Sequence, residues 1–172
     1  MHVQKLNFLE DNRSFDCFLY EANQTPPLNA GSLSEFYSLW KDACSGTRLP
    51  SKKDLPFEKF IGWHSRMRIV DYGEGITEPK EPIIIGEKFE EYWGKPIMNQ
   101  MVRSSNPPPK STMQNYQEYL QYIYSNHYGL CIGKTPNVHG TSFQVKWIDL
   151  PLSDDGKNIS HLLSAIIKVD DE

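Results

Sequence analysis

The stretch from Leu33 to Leu55 most constrains the fold, because it contains a complete helix and the loop that must follow it. Apolar residues recur there every three or four positions, which gathers them on one helix face. They are Leu33, Phe36, Tyr37, Trp40, Ala43 and Cys44. Ser32 and Glu35 have the spacing of a capping box, and Gly46 can supply a left-handed stop. The stretch therefore predicts a helix with one buried face.

The rest of the chain predicts a sheet on which this helix packs. Alternating apolar residues and β-branched runs indicate five strands. The first two strands along the chain are expected near the centre of the sheet. The predicted strands cover 64–72, 82–86, 128–134, 141–152 and 159–169, and further helices cover 56–61, 87–93 and 111–126. A helical turn is suggested at Ser160 to Leu163, at the start of the last strand. This order predicts an α+β fold with one antiparallel sheet covered by helices on one face.

The first 31 residues are predicted to form an N-terminal arm and a linker. Their apolar residues fit no single period, and a Pro/Gly/Asn stretch from Thr25 to Gly31 separates them from the helix. The arm, with Phe8, Leu9, Phe15 and Phe18, either leaves apolar surface for a partner or a second copy to cover, or folds back on its own sheet. The predicted organisation is an arm and linker over 1–31, a domain over 32–169 and an acidic tail over 170–172.

Composition narrows the classes of function. The chain has 172 residues, a net charge of −4 and a pI near 5.7, which argues against non-specific nucleic-acid binding. Its three cysteines, odd in number and widely spaced, suggest neither a disulfide framework nor a zinc site. We find no apolar run long enough to span a membrane and no secretory signal at the start. These features predict a protein of the cytoplasm without nucleic-acid or membrane partners.

A family resemblance rests on two motifs and a few single residues. The motifs are Trp40 followed by Leu49-Pro50-Ser51-Lys52-Lys53-Asp54-Leu55-Pro56, and later Leu150-Pro151-Leu152-Ser153-Asp154-Asp155-Gly156; between them stand Asp71, Gly86, Gly94 and Pro96. With these, the chain resembles the single-domain PAS-like proteins of alphaproteobacteria over roughly Leu33 to Lys168. The chain departs from the family at Lys52, where arginine is usual, and at Ile83-Ile84-Ile85, where arginine or tyrosine is usual.

The resemblance implies a PAS-like fold, with a five-stranded antiparallel sheet, helices on one face and an N-terminal extension. It also implies a sensory or interaction module that can enclose a small-molecule ligand. Too few residues follow the sheet for an output domain, so the expected output is a protein partner or a homodimer.

Catalytic and cofactor motifs give little support for an enzyme. Cys131, His139 and Asp149 are residue types of a nucleophilic triad, but the chain has no Gly-x-Ser-x-Gly elbow. The five histidines do not stand at metal-ligand spacing, which predicts no metal site, and His127 on a helix face is the one candidate for axial haem ligation. We predict no enzymatic activity, and the sequence identifies no cofactor.

Aromatic and apolar residues on the short helices and one strand are the candidate ligand pocket. The alternative is that the same residues simply fill the core. The candidates are Phe89, Tyr92, Trp93, Tyr116, Phe143, Gln144, Val145 and Trp147.

The sequence thus predicts a sensory or signalling module that binds a small ligand or a partner protein. Two other readings stay open. One is a small enzyme that uses an acid or base such as Asp71, Asp149 or His139, and the other is a purely structural homodimer.

Overall fold

A computed structural model describes residues 2–8, 13–73, 82–93, 110–136 and 142–171. Among these residues the chain forms one antiparallel sheet of seven strands in the order β1-β2-β5-β6-β7-β3-β4. The strands are β1 (His2–Phe8), β2 (Arg13–Glu21), β3 (Met67–Asp71), β4 (Pro82–Ile85), β5 (His127–Pro136), β6 (Ser142–Leu152) and β7 (His161–Lys168). The helices are α1 (Leu33–Ala43), α2 (Glu87–Trp93) and α3 (Lys110–Tyr124). Short 3-10 turns cover Leu28–Ala30, Lys52–Asp54, Phe57–Phe60, His64–Arg66 and Val169–Asp171.

The α+β class and the antiparallel sheet are confirmed, but the predicted count of five strands is wrong. Strands β3 to β7 form a contiguous five-stranded sheet, with α2 and α3 in the chain between β4 and β5. A hairpin of β1 and β2 extends that sheet, because β2 pairs with β5 from Ser14 to Glu21. The N-terminal arm thus contains two strands of the sheet, and Phe15 is buried in the core.

Helices cover both faces of the sheet, so the prediction of helices on one face only is also wrong. Helix α1 and the 3-10 turns cover one face, which we call the α1 face. Helices α2 and α3 cover the opposite face, which we call the α3 face. Strand β3 contributes side chains to both faces of the sheet. Met67 and Ile69 lie on the α1 face and Val70 lies on the α3 face, as the alternation of side chains along a strand predicts. The sheet is the middle layer of three.

Helix α1 forms where its apolar spacing predicts it, but its start is capped differently. Leu33, Phe36, Tyr37 and Trp40 are all buried. Ser32 has helical backbone angles and its side chain makes no capping hydrogen bond, so the capping box predicted there is wrong. Gly46 has the predicted positive φ, of 64°, in the turn after the helix.

The two motifs of the family resemblance contact each other on the α1 face. The Trp40 indole N–H donates to the Pro151 carbonyl at 3.0 Å, and the Ser153 N–H donates to the Pro50 carbonyl at 3.0 Å. Between the prolines of the first motif, Ser51 and Asp54 form a reciprocal capping box that the sequence analysis did not identify. These motifs fix α1 and its following loop to the β6–β7 end of the sheet.

Two smaller expectations also differ from the structure. Strand β4 is an edge strand, not a central one, and its Ile83 and Ile84 are exposed. The helical turn suggested at Ser160 to Leu163 is wrong, because β7 begins at His161 and pairs there with Asp71.

Candidate functional site

The candidate site is a buried polar network on the α3 face, centred on Asp149. It consists of Arg68, Tyr119, Trp147, Asp149 and Ser164, which we call the Asp149 network. The five residues come from three strands and one helix. Asp149 is only 2% exposed, and a carboxylate removed from water is stable only if hydrogen-bond donors or charges replace its hydration.

Sheet register explains why three of these residues meet. Asp149 on β6 lies opposite Ser164 on β7, and Ser164 lies opposite Arg68 on β3. Directly opposed residues point to the same face of a sheet, so the three side chains form one row across three strands. Trp147 joins them because it stands two residues before Asp149 on the same strand.

Three side chains donate hydrogen bonds to the Asp149 carboxylate. The Tyr119 hydroxyl donates to Oδ2 at 2.7 Å and the Trp147 indole N–H donates to the same oxygen at 3.0 Å. The Ser164 hydroxyl donates to Oδ1. Bonds to an ionised acceptor are stronger than bonds between neutral groups, so this set holds the carboxylate in place.

Arg68 supplies the positive charge of the network. Its Nη2 lies 3.9 Å from Asp149 Oδ1, and its Nε donates to the Ser164 hydroxyl at 3.3 Å. The guanidinium also lies 4.8 Å from the ring centre of Phe89 and 5.3 Å from that of Trp93, which is the geometry of a cation–π contact. Both rings belong to α2, so Arg68 joins that helix to the sheet.

Gly129 on β5 makes room for Tyr119. It lies opposite Asp149 in the same row, and a Cβ atom built on it would lie 1.9 Å from the Tyr119 hydroxyl oxygen. Only glycine therefore allows the hydroxyl to reach Asp149 along this line. Burial, and then the negative charge of Asp149, raise the pKa of Tyr119 well above its usual value. The phenol stays protonated and acts as a donor.

A pair of tyrosines and Cys131 adjoin the network. The hydroxyls of Tyr72 and Tyr116 are 2.9 Å apart, and burial raises the pKa of both. The Cys131 thiol donates to the Tyr119 hydroxyl at 3.6 Å. Helix α3 thus contributes Tyr116 and Tyr119 to a continuous set of polar contacts beneath it.

The structure brings together most of the predicted pocket residues. Phe89, Tyr92, Trp93, Tyr116, Val145 and Trp147 are buried in one cluster on the α3 face, with Phe143 half-buried against it. Their rings pack closely: Trp93 meets Trp147 edge-on at 4.7 Å between ring centres, and Tyr92 meets Phe143 at 5.6 Å. Gln144 is exposed and lies outside the cluster. These contacts are those of a packed core, and a ligand role for these residues stays a prediction.

Other candidates from the sequence lie elsewhere. His139 lies outside the described residues, and the side chain of Asp71 is half exposed near His161. His127 begins β5 instead of lying on a helix face, and its Nδ1 is 2.9 Å from the Ser125 carbonyl oxygen, so the reason for considering it as a haem ligand is lost. Within the described ranges, no three His, Cys, Asp or Glu side chains are grouped to hold a metal ion.

A small cleft of about 100 Å³ lies near the end of α1. It is separate from the Asp149 network, and none of the eight predicted pocket residues lines it. Its lining residues are Ala22, Asn23, Trp40, Lys41, Cys44, Gly46, Thr47, Arg48, Leu49 and Asn126.

The sequence analysis named Asp149 as a residue type of a nucleophilic triad and as a possible acid or base, and it missed Tyr119, Ser164 and Arg68 as partners. A signal for two of them exists, because Ser164 and Arg68 are polar residues within short apolar strands. A polar residue in a strand buried on both faces needs a partner on the same face. Strand register, which the sequence does not specify, is what identifies that partner.

Comparison with known proteins gives a likeness to solved structures but no relative by sequence. No protein-family model matches the chain, and no curated protein matches it. A solved structure described as that of an RNA-binding light-oxygen-voltage receptor matches with a TM-score of 0.48 at 9% sequence identity. The match covers 89% of this chain and 38% of that receptor chain, so this chain spans less than two fifths of the receptor's length. No described helix is long and apolar enough to cross a membrane.

Proposed function

We propose that this chain is a PAS-like sensory or protein-interaction module in which α2 and α3 form the responsive layer. The support is architectural. Strands β3 to β7 form a contiguous antiparallel sheet, and the two helices stand in the chain between its second and third strands. The order of these strands and helices along the chain is the one that the sequence predicts, and the β1–β2 hairpin extends the sheet.

The hydrogen bond from Tyr119 to Asp149 is the observation that carries the proposal. It is a directional tie between α3 and a buried carboxylate of the sheet, 2.7 Å long. Either Tyr119 donates this hydrogen bond to Asp149, or another donor replaces Tyr119 there. Helix α3 therefore has two defined positions, one bound to Asp149 and one released. A ligand that supplies its own donor to Asp149 shifts the population toward the released helix, in proportion to its preference for that state.

The chemistry around Asp149 indicates the class of ligand. The carboxylate accepts hydrogen bonds and favours a donor or cationic group, while Phe89, Trp93 and Trp147 offer aromatic surface beside it. The ligand is therefore a small aromatic or apolar molecule with one donor or cationic end. The output is read by a partner protein or a second copy that contacts the outer side of α2 or α3.

The enzyme alternative is less well supported by the contacts. Three donors already occupy the oxygens of Asp149, which is the arrangement of a structural anchor and not of a free base. Asp71 accepts a hydrogen bond from the Gly73 N–H. Its side chain lies on the face of β3 that is opposite to the Asp149 network.

Native mass spectrometry of the purified protein, beside a denatured control, tests the proposal. A small molecule retained in the native spectrum of the wild type and lost in Asp149→Asn supports the sensory function and gives the ligand mass. A dimer or a co-purified protein without a small molecule supports the interaction module. A monomer without any adduct, whose α3 amides exchange no faster in Tyr119→Phe than in the wild type, overturns the proposal.

A further inference from the structure

Cys17 and Cys131 stand directly opposite each other on two neighbouring strands. Cys17 is on β2, Cys131 is on β5, and the two are register partners in an antiparallel pair. Both side chains lie on the α3 face and neither is exposed to solvent. The two thiols are hydrogen bonded to each other. Both are free thiols that are not joined in a disulfide. Among the described residues, no other two cysteines stand opposite each other on neighbouring strands.

Backbone geometry favours a covalent bond between them. Opposed residues of antiparallel strands have Cα atoms about 4.5 to 5.5 Å apart, and disulfides span Cα distances of about 4.4 to 6.8 Å. We propose that Cys17 and Cys131 are a redox-responsive pair that forms a cross-strand disulfide when a hydroperoxide oxidises the folded protein. No large backbone movement is required, because the two sulfurs are already in contact.

Each step of the oxidation balances. One thiol, as its thiolate, attacks the terminal oxygen of the hydroperoxide and becomes a sulfenic acid, and the hydroperoxide leaves as an alcohol or as water. The second sulfur then attacks the sulfenic sulfur, forms the S–S bond and releases water. The protein loses two protons and two electrons, which together are two hydrogen atoms, and the two electrons cleave the peroxide O–O bond.

The surrounding contacts make this reaction dependent on α3. Burial raises the pKa of both thiols, so little thiolate exists while α3 covers them. The Cys131 thiol donates to the Tyr119 hydroxyl at 3.6 Å, and Tyr119 holds the helix to Asp149. Oxidation removes that thiol proton and with it one donor to Tyr119. The pair is therefore slow to oxidise at rest and fast when α3 is displaced, and the disulfide ties the N-terminal hairpin to the rest of the sheet.

The inference stands apart from the proposed function, because it is tested without any ligand or partner. The test protein is the full chain carrying Cys44→Ser, which leaves Cys17 and Cys131 as its cysteines. It is treated with hydrogen peroxide under native conditions, followed by thiol labelling and intact mass measurement. The expected product is a monomer that has lost two hydrogen atoms and takes up no label, with a thermal midpoint several degrees higher than the reduced protein.

Two controls keep the test decisive. A Cys17→Ser, Cys44→Ser protein has one cysteine and is expected to keep its monomer mass apart from added oxygen, and Tyr119→Phe in the Cys44→Ser background is expected to oxidise several-fold faster. The proposal is overturned if the Cys44→Ser protein keeps both thiols after native treatment but forms the disulfide in urea. It is equally overturned if the product is an intermolecular dimer.

Discussion

The α1 face and the α3 face of the sheet both bury aromatic side chains, but they satisfy their polar groups differently. On the α1 face, Trp40 and Tyr37 donate to the backbone carbonyls of Pro151 and Ala22, which are neutral acceptors fixed by the chain. On the α3 face, Tyr119 and Trp147 donate to a buried carboxylate that also faces Arg68. The first face is held by independent bonds, and the second by a charged network in which each member depends on the others. A change in one member of the network therefore alters the contacts across the whole α3 face.

The largest expected effect comes from removing the charge at the centre of the network. Asp149→Ala leaves Arg68 buried without its carboxylate, and breaking a buried ion pair costs about 3–5 kcal/mol. Urea unfolding followed by tryptophan fluorescence measures the loss. Asp42→Ala, on the exposed side of α1, is the matched control and is expected to change the unfolding free energy by less than about 0.5 kcal/mol. Equal losses of unfolding free energy in Asp149→Ala and Asp42→Ala contradict the conclusion that the α3 face depends on its charged network.

Crowding the network at Gly129 is expected to cost somewhat less. Gly129→Ala puts a methyl group 1.9 Å from the Tyr119 hydroxyl oxygen, so Tyr119 must withdraw from Asp149. Overpacking of this kind costs about 1–3 kcal/mol. In a Tyr119→Phe background the clashing oxygen is absent, and the cost of Gly129→Ala should fall. A double-mutant cycle checks this, and strictly additive effects argue against the proposed contact.

A matched pair of tryptophan substitutions compares the faces directly. Trp147→Phe and Trp40→Phe remove the same atoms from positions that are both almost fully buried. The first loses a hydrogen bond to a charged acceptor, worth about 1.5–3 kcal/mol, and the second loses one to a neutral carbonyl, worth about 0.5–1.5 kcal/mol. Trp147→Phe is therefore expected to destabilise the protein more by roughly 1 kcal/mol in chemical denaturation. The reverse order contradicts a charged Asp149.

The alkaline pH dependence of stability also depends on Tyr119. Because the pKa of Tyr119 is raised in the folded protein, the unfolded chain loses this proton first as pH rises above about 10. Stability then falls with pH, at about 1.4 kcal/mol per pH unit for one such group. Tyr119→Phe should lower that slope between pH 10 and 12 by up to this amount.

Local patterns predicted the elements whose periodicity is unambiguous. Helix α1 and helix α2 form where their apolar spacing indicates, and α2 has the predicted bounds of Glu87 and Trp93. Strand β2 was missed because it is apolar on both sides, with Phe15 and Leu19 towards one face and Tyr20 towards the other, so no simple alternation shows. Its identity as a strand depends on β5, which no local pattern contains.

The candidate site was predictable only in part, for a related reason. Phe89, Trp93 and Trp147 were correctly placed together because each is apolar on the inward side of its own element. Asp149 and Ser164 are brought together by the pairing of separate strands, and a shift of one residue would place them on opposite faces. The capping box at Ser51 and Asp54 was missed because two prolines made the segment look fully extended.

The pairing of β2 with β5 also sets the order in which the protein can be completed during synthesis. Strand β5 is synthesised more than a hundred residues after the β1–β2 hairpin. Until then Phe15, Cys17 and Leu19 lack the strand neighbour and the helix α3 that cover them in the finished fold. The nascent chain therefore carries an unpaired apolar strand until β5 has been synthesised, and this is the interval in which a chaperone has most to protect.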